Sequence, residues 1–277
     1  MVAKWGRQAM KTMLSDAIER MTRRIAAILE NVAPSIYLYG SAVMDDFQMG
    51  WSDVDILVLT KRRIAQEQAE RLLTLRQTML AEMPENRLFR AFEGGMLSLE
   101  AFESGAEDTV IYWGTSGERI AARYTFDSFC MQELLDCGVL LHGADVRARF
   151  SEPRAEELRA DVLRHYESIR RFARETGRSF YAYGWLLDIS RCIYTLRTGR
   201  VIAKTAAGEW ALAQRLCPCE GALLRAVIVR RNPQRYQNSR AAMDYAQSLG
   251  ASVQAYADVL ERELARDGGP EPHGARS

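Results

Sequence analysis

Histidine is scarce in this chain. The three in 277 residues, His142, His165 and His273, are scattered. That spread gives little support to a histidine-built zinc site or a histidine-dependent triad. Cysteine supplies no framework either. The five, Cys130, Cys137, Cys192, Cys217 and Cys219, are odd in number and irregularly spaced. Reduced thiols in a cytoplasmic protein fit that pattern better than a disulfide scaffold. Cys217-Pro-Cys219 is too tight for a zinc knuckle and has no second pair. No apolar run approaches the roughly eighteen residues of a membrane span. Basic and polar residues interrupt Met1 to Met21 throughout, so no signal-peptide pattern is expected there. A net charge of +1 provides no global field for nucleic acid or an anionic membrane. That counts against a grip on long RNA or DNA. There is no internal repeat and no low-complexity segment.

What is present is one organising stretch, Tyr37 to Thr60. It reads as strand, tight turn, short helix, loop, strand. Ser35 to Tyr39 is a short apolar run that ends at Gly40-Ser41. Eleven residues separate Ser41 from Asp53, and Asp53 and Asp55 open the apolar run Ile56 to Leu59. Strand side chains alternate faces, so the two aspartates point one way and Val54, Ile56 and Val58 the other. Neighbouring carboxylates repel, and a divalent cation is the usual remedy. Glycine and serine at a strand end let backbone N–H groups approach a phosphate. Together these features point to a nucleoside triphosphate held through Mg²⁺. The stretch resembles the signature of the nucleotidyltransferase superfamily, Gly-Ser followed about a dozen residues later by Asp-x-Asp.

Along the chain, Met10, Leu14, Ile18, Met21, Ile25 and Ile28 recur at steps of three and four, which predicts an amphipathic helix over residues 1–32. Pro34 closes it. A second helix is expected over residues 61–83. Residues 88–102 read as extended, in two short strands around Gly94-Gly95. Val110 to Trp113 and Val139 to Leu141 read as strands, Gly114 to Gly117 as a turn, and Phe126 to Cys137 as a helix. From Pro153 the strand signals fade. Helical periodicity runs over 158–176, 180–196, 206–216, 222–231 and 241–266. The expected fold is therefore α/β plus all-α: a mixed sheet with flanking helices over 1–150, then a helical bundle over 151–266. Residues 267–277, rich in Gly and Pro, read as a disordered tail.

Transfer of a nucleoside monophosphate to a hydroxyl needs a metal on the triphosphate and a base for the attacking hydroxyl. A third carboxylate on a neighbouring strand completes the metal site with Asp53 and Asp55 or takes the proton. Glu93 and Glu100 are the candidates. Alternation of Leu97, Leu99 and Ala101 toward the core favours Glu100.

A closer resemblance bears on this choice. Leu38-Tyr-Gly-Ser-Ala-Val43, Ser52-Asp-Val-Asp-Ile-Leu-Val58 and Arg90-Ala-Phe-Glu93 resemble the streptomycin/spectinomycin adenylyltransferases, a bacterial aminoglycoside-resistance family. Ile189-Ser-Arg-Cys-Ile-Tyr194 and the segment from Thr198 to Ala211 are similar to that family's C-terminal helical domain. The resemblance implies ATP as donor, Mg²⁺ on Asp53, Asp55 and Glu93, and Glu93 as the base. It implies Gly40 and Ser41 at the phosphates and Arg191 and Lys204 on the nucleotide. The active site is then expected in a cleft between the domains, with a small-molecule hydroxyl as acceptor, an aminoglycoside first among them. Where the family holds its cationic acceptor with one aromatic and two carboxylates, this chain has Phe172, Gly177 and Tyr181. The aromatic is kept and both acids are lost, leaving Glu167, Glu175, Asp188 and Glu209 as possible substitutes. In the cluster Phe180 to Trp185, Tyr181 and Trp185 are candidates for lining a pocket. Two other readings stay open: the same chemistry on a protein side chain or an RNA end, and a nucleotide-binding regulatory module without turnover.

Overall fold

The computed structural model describes residues 2–114 and 117–266. The side chains of residues 1–10, residues 115–116 of the expected turn, His273 and the expected tail 267–277 lie outside the described residues. The chain divides into two compact units. One comprises the chain to Phe47, Ser52–Phe126 and Glu133–Ser151; the other comprises Gln48–Trp51, Asp127–Gln132 and the chain from Glu152. The fold class expected from the sequence is the one observed, a mixed sheet with flanking helices and a helical C-terminal region.

The first unit opens with α1 (Val2–Ile28), which buries Ala17, Met21, Ile25 and Ile28 along one stripe. A 3-10 turn at Glu30–Val32 leads into β1 (Pro34–Tyr39), whose six residues are all buried. Pro34 thus starts a strand, a position where its missing N–H costs little. β2 (Val54–Thr60) pairs antiparallel with β1. The crossover helix α2 (Gln66–Glu82) then carries the chain to β3 (Phe92–Ser98), parallel to β2. A parallel pair requires such a crossover.

β3 runs straight through Gly94 and Gly95 as one strand, rather than the two short strands expected. It is preceded by a 3-10 segment, Arg87–Ala91, and followed by α3 (Leu99–Ser104). β4 (Val110–Gly114) and β5 (Gly117–Ala121) form an antiparallel pair that extends the sheet beyond β3. β5 was not anticipated from the sequence. α4 (Ser128–Cys137) precedes β6 (Val139–His142), which pairs with the other side of β1. The six-stranded order is β5-β4-β3-β2-β1-β6. Ile36, Val54, Val58, Leu72, Phe89, Met96, Ile111 and Trp113 fill its core.

The second unit is helical: α5 (Ala155–Phe172), α6 (Tyr181–Thr198), α7 (Lys204–Ala213), α8 (Glu220–Arg231), α9 (Pro233–Tyr236), α10 (Arg240–Gln247) and α11 (Gly250–Leu264). α6 is apolar on nearly every side and forms the axis of the core, with Leu186, Leu187, Ile189 and Ile193 fully buried. Two of its buried hydroxyl groups bond within the bundle. The Tyr183 hydroxyl donates to the Ala242 carbonyl at 2.7 Å, and Ser190 Oγ lies 3.1 Å from Tyr256 Oη. No helix among the described residues is long and apolar enough to cross a membrane.

Candidate active site

The end of β1 fixes the first element of the site. Gly40 has φ +69°, in the left-handed region that favours glycine. A Cβ there would stand 2.2 Å from Asp55 Oδ2. Torsion and space therefore both require glycine, and the Asp55 carboxylate lies directly against the Gly40 backbone. Gly40–Ala42 makes a single 3-10 turn, with Val43 N–H donating to the Gly40 carbonyl at 3.1 Å. The helix expected after Ser41 is thus one turn, too short for a helix dipole. Any hold on phosphate here comes from the Ser41 hydroxyl and local N–H groups.

Strand register supplies the carboxylates. Asp55 is the Cα partner of Tyr39 on one side and of Glu93 on the other. Adjacent strands lie roughly 4.8 Å apart, so Asp55 and Glu93 are direct neighbours on one face of the sheet. Asp53 stands one residue before β2. By alternation it belongs to the same face as Asp55. Gly94, with φ +143°, makes the close approach possible: a Cβ there would meet the Ile56 carbonyl oxygen at 1.8 Å. Glu100 occupies the first turn of α3 and is exposed, so it is a helix residue beyond the end of β3. The strand alternation that favoured Glu100 breaks at Ser98, whose Oγ accepts the Ala101 N–H at 3.2 Å and caps that helix.

Tyr112, on β4, belongs to the same cluster. Its hydroxyl donates to Glu93 Oε1 at 3.1 Å. Burial, then the charge of Glu93 and its hydrogen bond, push the Tyr112 hydroxyl above the usual tyrosine range; Arg119 opposes the shift and Asp53 adds to it. Arg119 lies over the Tyr112 ring, 4.1 Å from its centroid. Behind this cluster sits Arg76 of α2, its side chain only 8% exposed. Its Nε pairs with Glu118 at 2.8 Å, and it donates to the carbonyls of Phe92 (2.7 Å), Arg90 (3.2 Å) and Gly114 (3.3 Å). Tyr112, Arg119 and Arg76 were not singled out from the sequence. For Arg76 a signal existed: it falls on the stripe Ala69, Leu72, Met79 that α2 buries, where a charge is out of place.

The donor set suits Mg²⁺: carboxylate oxygens, with no soft ligand among Asp53, Asp55 and Glu93. Among the described residues, no three of His, Cys, Asp or Glu are gathered closely enough to cage an ion unaided. Mg²⁺ is commonly held by one or two carboxylates completed by substrate phosphates, and that mode fits these residues.

In the second unit, Arg191 of α6 and Lys204, the first residue of α7, flank Asp188. Lys204 Nζ lies 2.8 Å from Asp188 Oδ1, the two side chains 33% and 18% exposed. Burial raises the Asp188 carboxyl, but Lys204 and then Arg191 outweigh it and hold it below the usual carboxylate range. The Arg191 guanidinium lies 5.2 Å from the centroid of the Phe129 ring, which meets His165 edge-on. Burial, reinforced by Arg191, lowers the His165 pKa. Burial pushes the Cys192 thiol beside them up to about 12, which leaves it a poor nucleophile.

Of the residues at the expected acceptor positions, Phe172 and Tyr181 are 59% and 65% exposed, and Gly177 is exposed between α5 and α6. Among the acids weighed as substitutes, Asp188 is paired with Lys204 and Glu209 with Arg231, while Glu167 and Glu175 are exposed. Phe180 stacks on Trp51 with centroids 4.9 Å apart, and Trp185 packs against the helical core.

Residues 155–261 match the family described as the aminoglycoside adenylyltransferase C-terminal domain. No match is found among the curated proteins. Among solved structures the chain is similar to spectinomycin adenyltransferase AAD(9) from Enterococcus faecialis, determined with ATP and spectinomycin. The TM-score is 0.63 at 13% sequence identity, over 89% of this chain and 99% of that one. That likeness extends the agreement in fold over both units. The chain therefore resembles the aminoglycoside adenylyltransferases in the sequence of residues 155–261 and AAD(9) in fold.

Proposed function

We propose that this chain is an ATP-dependent adenylyltransferase that moves AMP onto a hydroxyl of an aminoglycoside antibiotic. One observation carries the chemistry: the parallel register that sets Glu93 beside Asp55, with Gly40 against the Asp55 carboxylate. The match of residues 155–261 to the aminoglycoside adenylyltransferase domain carries the substrate class.

In this reading Asp53 and Asp55 bind Mg²⁺, and Glu93 takes the proton from the acceptor hydroxyl and can share the metal. Mg²⁺, when bound, neutralises charge that develops on the triphosphate. Ser41 and the backbone around Gly40 hold phosphate oxygens. Arg191 and Lys204 donate to the triphosphate, and Asp188 holds the Lys204 ammonium ready for that task. The hydroxyl oxygen attacks the α-phosphorus, the bond to the β-phosphate oxygen breaks, and pyrophosphate leaves. A reaction fed by ATP fits the cytoplasm. Spectinomycin, present in the similar structure, is the first acceptor to try.

The test is pyrophosphate release from ATP and Mg²⁺ with spectinomycin, streptomycin and other aminoglycosides supplied singly. Release that depends on one drug supports the reading. Metal-dependent ATP binding with no release on any drug would move the acceptor to another class.

A further inference from the structure

We infer that Tyr112 is the positioning residue for the Glu93 carboxylate and that Arg119 locks it in place. This rests on the adenylyl-transfer reading, in which Glu93 is the base. A glutamate has three side-chain torsions, and holding it in one geometry costs up to about 2 kcal/mol of rotamer entropy. A base that must meet an incoming hydroxyl gains from having that cost met before substrate arrives. The Tyr112 hydroxyl does this by donating to Oε1 at 3.1 Å. With Oε1 engaged, Oε2 is the oxygen left to take the acceptor proton.

The tyrosine is itself restrained. Tyr112 and Arg119 are directly opposed across the β4–β5 pair, and the guanidinium lies 4.1 Å from the ring centroid. The frame beneath is pinned by Arg76. It holds the Phe92 carbonyl one residue before Glu93, the Gly114 carbonyl at the end of β4 and the Glu118 carboxylate next to Arg119. The strands that carry Glu93, Tyr112 and Arg119 are thus tied to one buried guanidinium. β5 is a short strand at the sheet edge, and this role gives it a place in the site.

The experiment is steady-state kinetics on the full chain with Mg²⁺, ATP and the acceptor found above, for Tyr112→Phe, Arg119→Leu, Glu93→Gln and the double variant Tyr112→Phe/Glu93→Gln. Loss of one hydrogen bond to a charged group predicts a kcat about tenfold lower for Tyr112→Phe. KM for ATP and acceptor should stay within about twofold, since positioning acts after binding. Arg119→Leu should lower kcat by about threefold, the scale of an exposed cation–π contact. In the Glu93→Gln background, Tyr112→Phe should cost nothing further. An unchanged kcat in Tyr112→Phe, a rise in KM alone, or independent effects in the double variant would each overturn the role while leaving adenylyl transfer intact. A wild-type chain that adenylylates no acceptor would overturn the transfer reading and this role together.

Discussion

At the residue scale the site depends on a few atoms that have no room to move. Asp53→Asn and Asp55→Asn keep side-chain volume and remove the charge that the proposed Mg²⁺ site requires. Each is expected to lower AMP transfer by about a hundredfold or more, with thermal unfolding within a few degrees of wild type. Loss of activity together with loss of the fold would leave the aspartates a structural role only. Gly40→Ala is expected to be worse than its size suggests. It adds about 1–2 kcal/mol of left-handed backbone strain and forces the Asp55 carboxylate, 2.2 Å from the new Cβ, out of place. The measurement is ATP affinity with Mg²⁺ beside a urea unfolding curve, and both should worsen. The motif residues were legible because they are close in the chain and their spacing is set by one strand-turn-strand unit. The residues alone left Glu93 and Glu100 both open, and only the resemblance favoured Glu93, since the pairing of β2 with β3 crosses a whole helix. Tyr112 was not readable, because its bond to Glu93 depends on the pairing of β3 with β4.

At the element scale the β4–β5 pair and α2 act as one device. Arg76→Met keeps an unbranched apolar stem but abandons Glu118 and the carbonyls of Phe92 and Gly114. Breaking a largely buried pair in this way is expected to cost about 3 kcal/mol, read as a lower urea midpoint with an unchanged slope. A shift under about 0.5 kcal/mol, the usual size for surface substitutions, would mean that Arg76 is a surface residue in solution. The elements missed in the sequence were those whose local pattern misleads. Gly117–Ala121 is half-exposed and charged, so no apolar alternation marks it. Leu97, Leu99 and Ala101 imitate a strand although Ser98 starts a helix. Residues 241–266 read as one helix but divide around Leu249. Ser239 caps α10 from one side, and Gly250 opens α11 where a Cβ would meet the Arg174 carbonyl oxygen at 2.2 Å. The long amphipathic helices were readable because an apolar stripe repeated over several turns rarely arises except on a buried helix face.

At the scale of the whole molecule, near-zero net charge leaves pH dependence to individual buried groups. His165 is the clearest of these. Burial and Arg191 lower its pKa in the folded chain, while in the unfolded chain it titrates near the histidine reference value of ~6.5. The folded state then binds fewer protons than the unfolded state between those two values. Its contribution is present above about pH 6.5 and is lost as pH falls through that window. The melting temperature should therefore drop on acidification from about pH 7 toward 5, and His165→Gln should flatten that limb. An identical limb in the variant would assign the loss to other groups. The most direct test of the central claim is mass spectrometry of the drug after incubation with ATP, Mg²⁺ and the protein, for wild type and Asp55→Asn. Adenylyl transfer predicts an aminoglycoside carrying one AMP from the wild type and unmodified drug from the variant. Equal modification by both proteins, or none by the wild type across the panel, would contradict it.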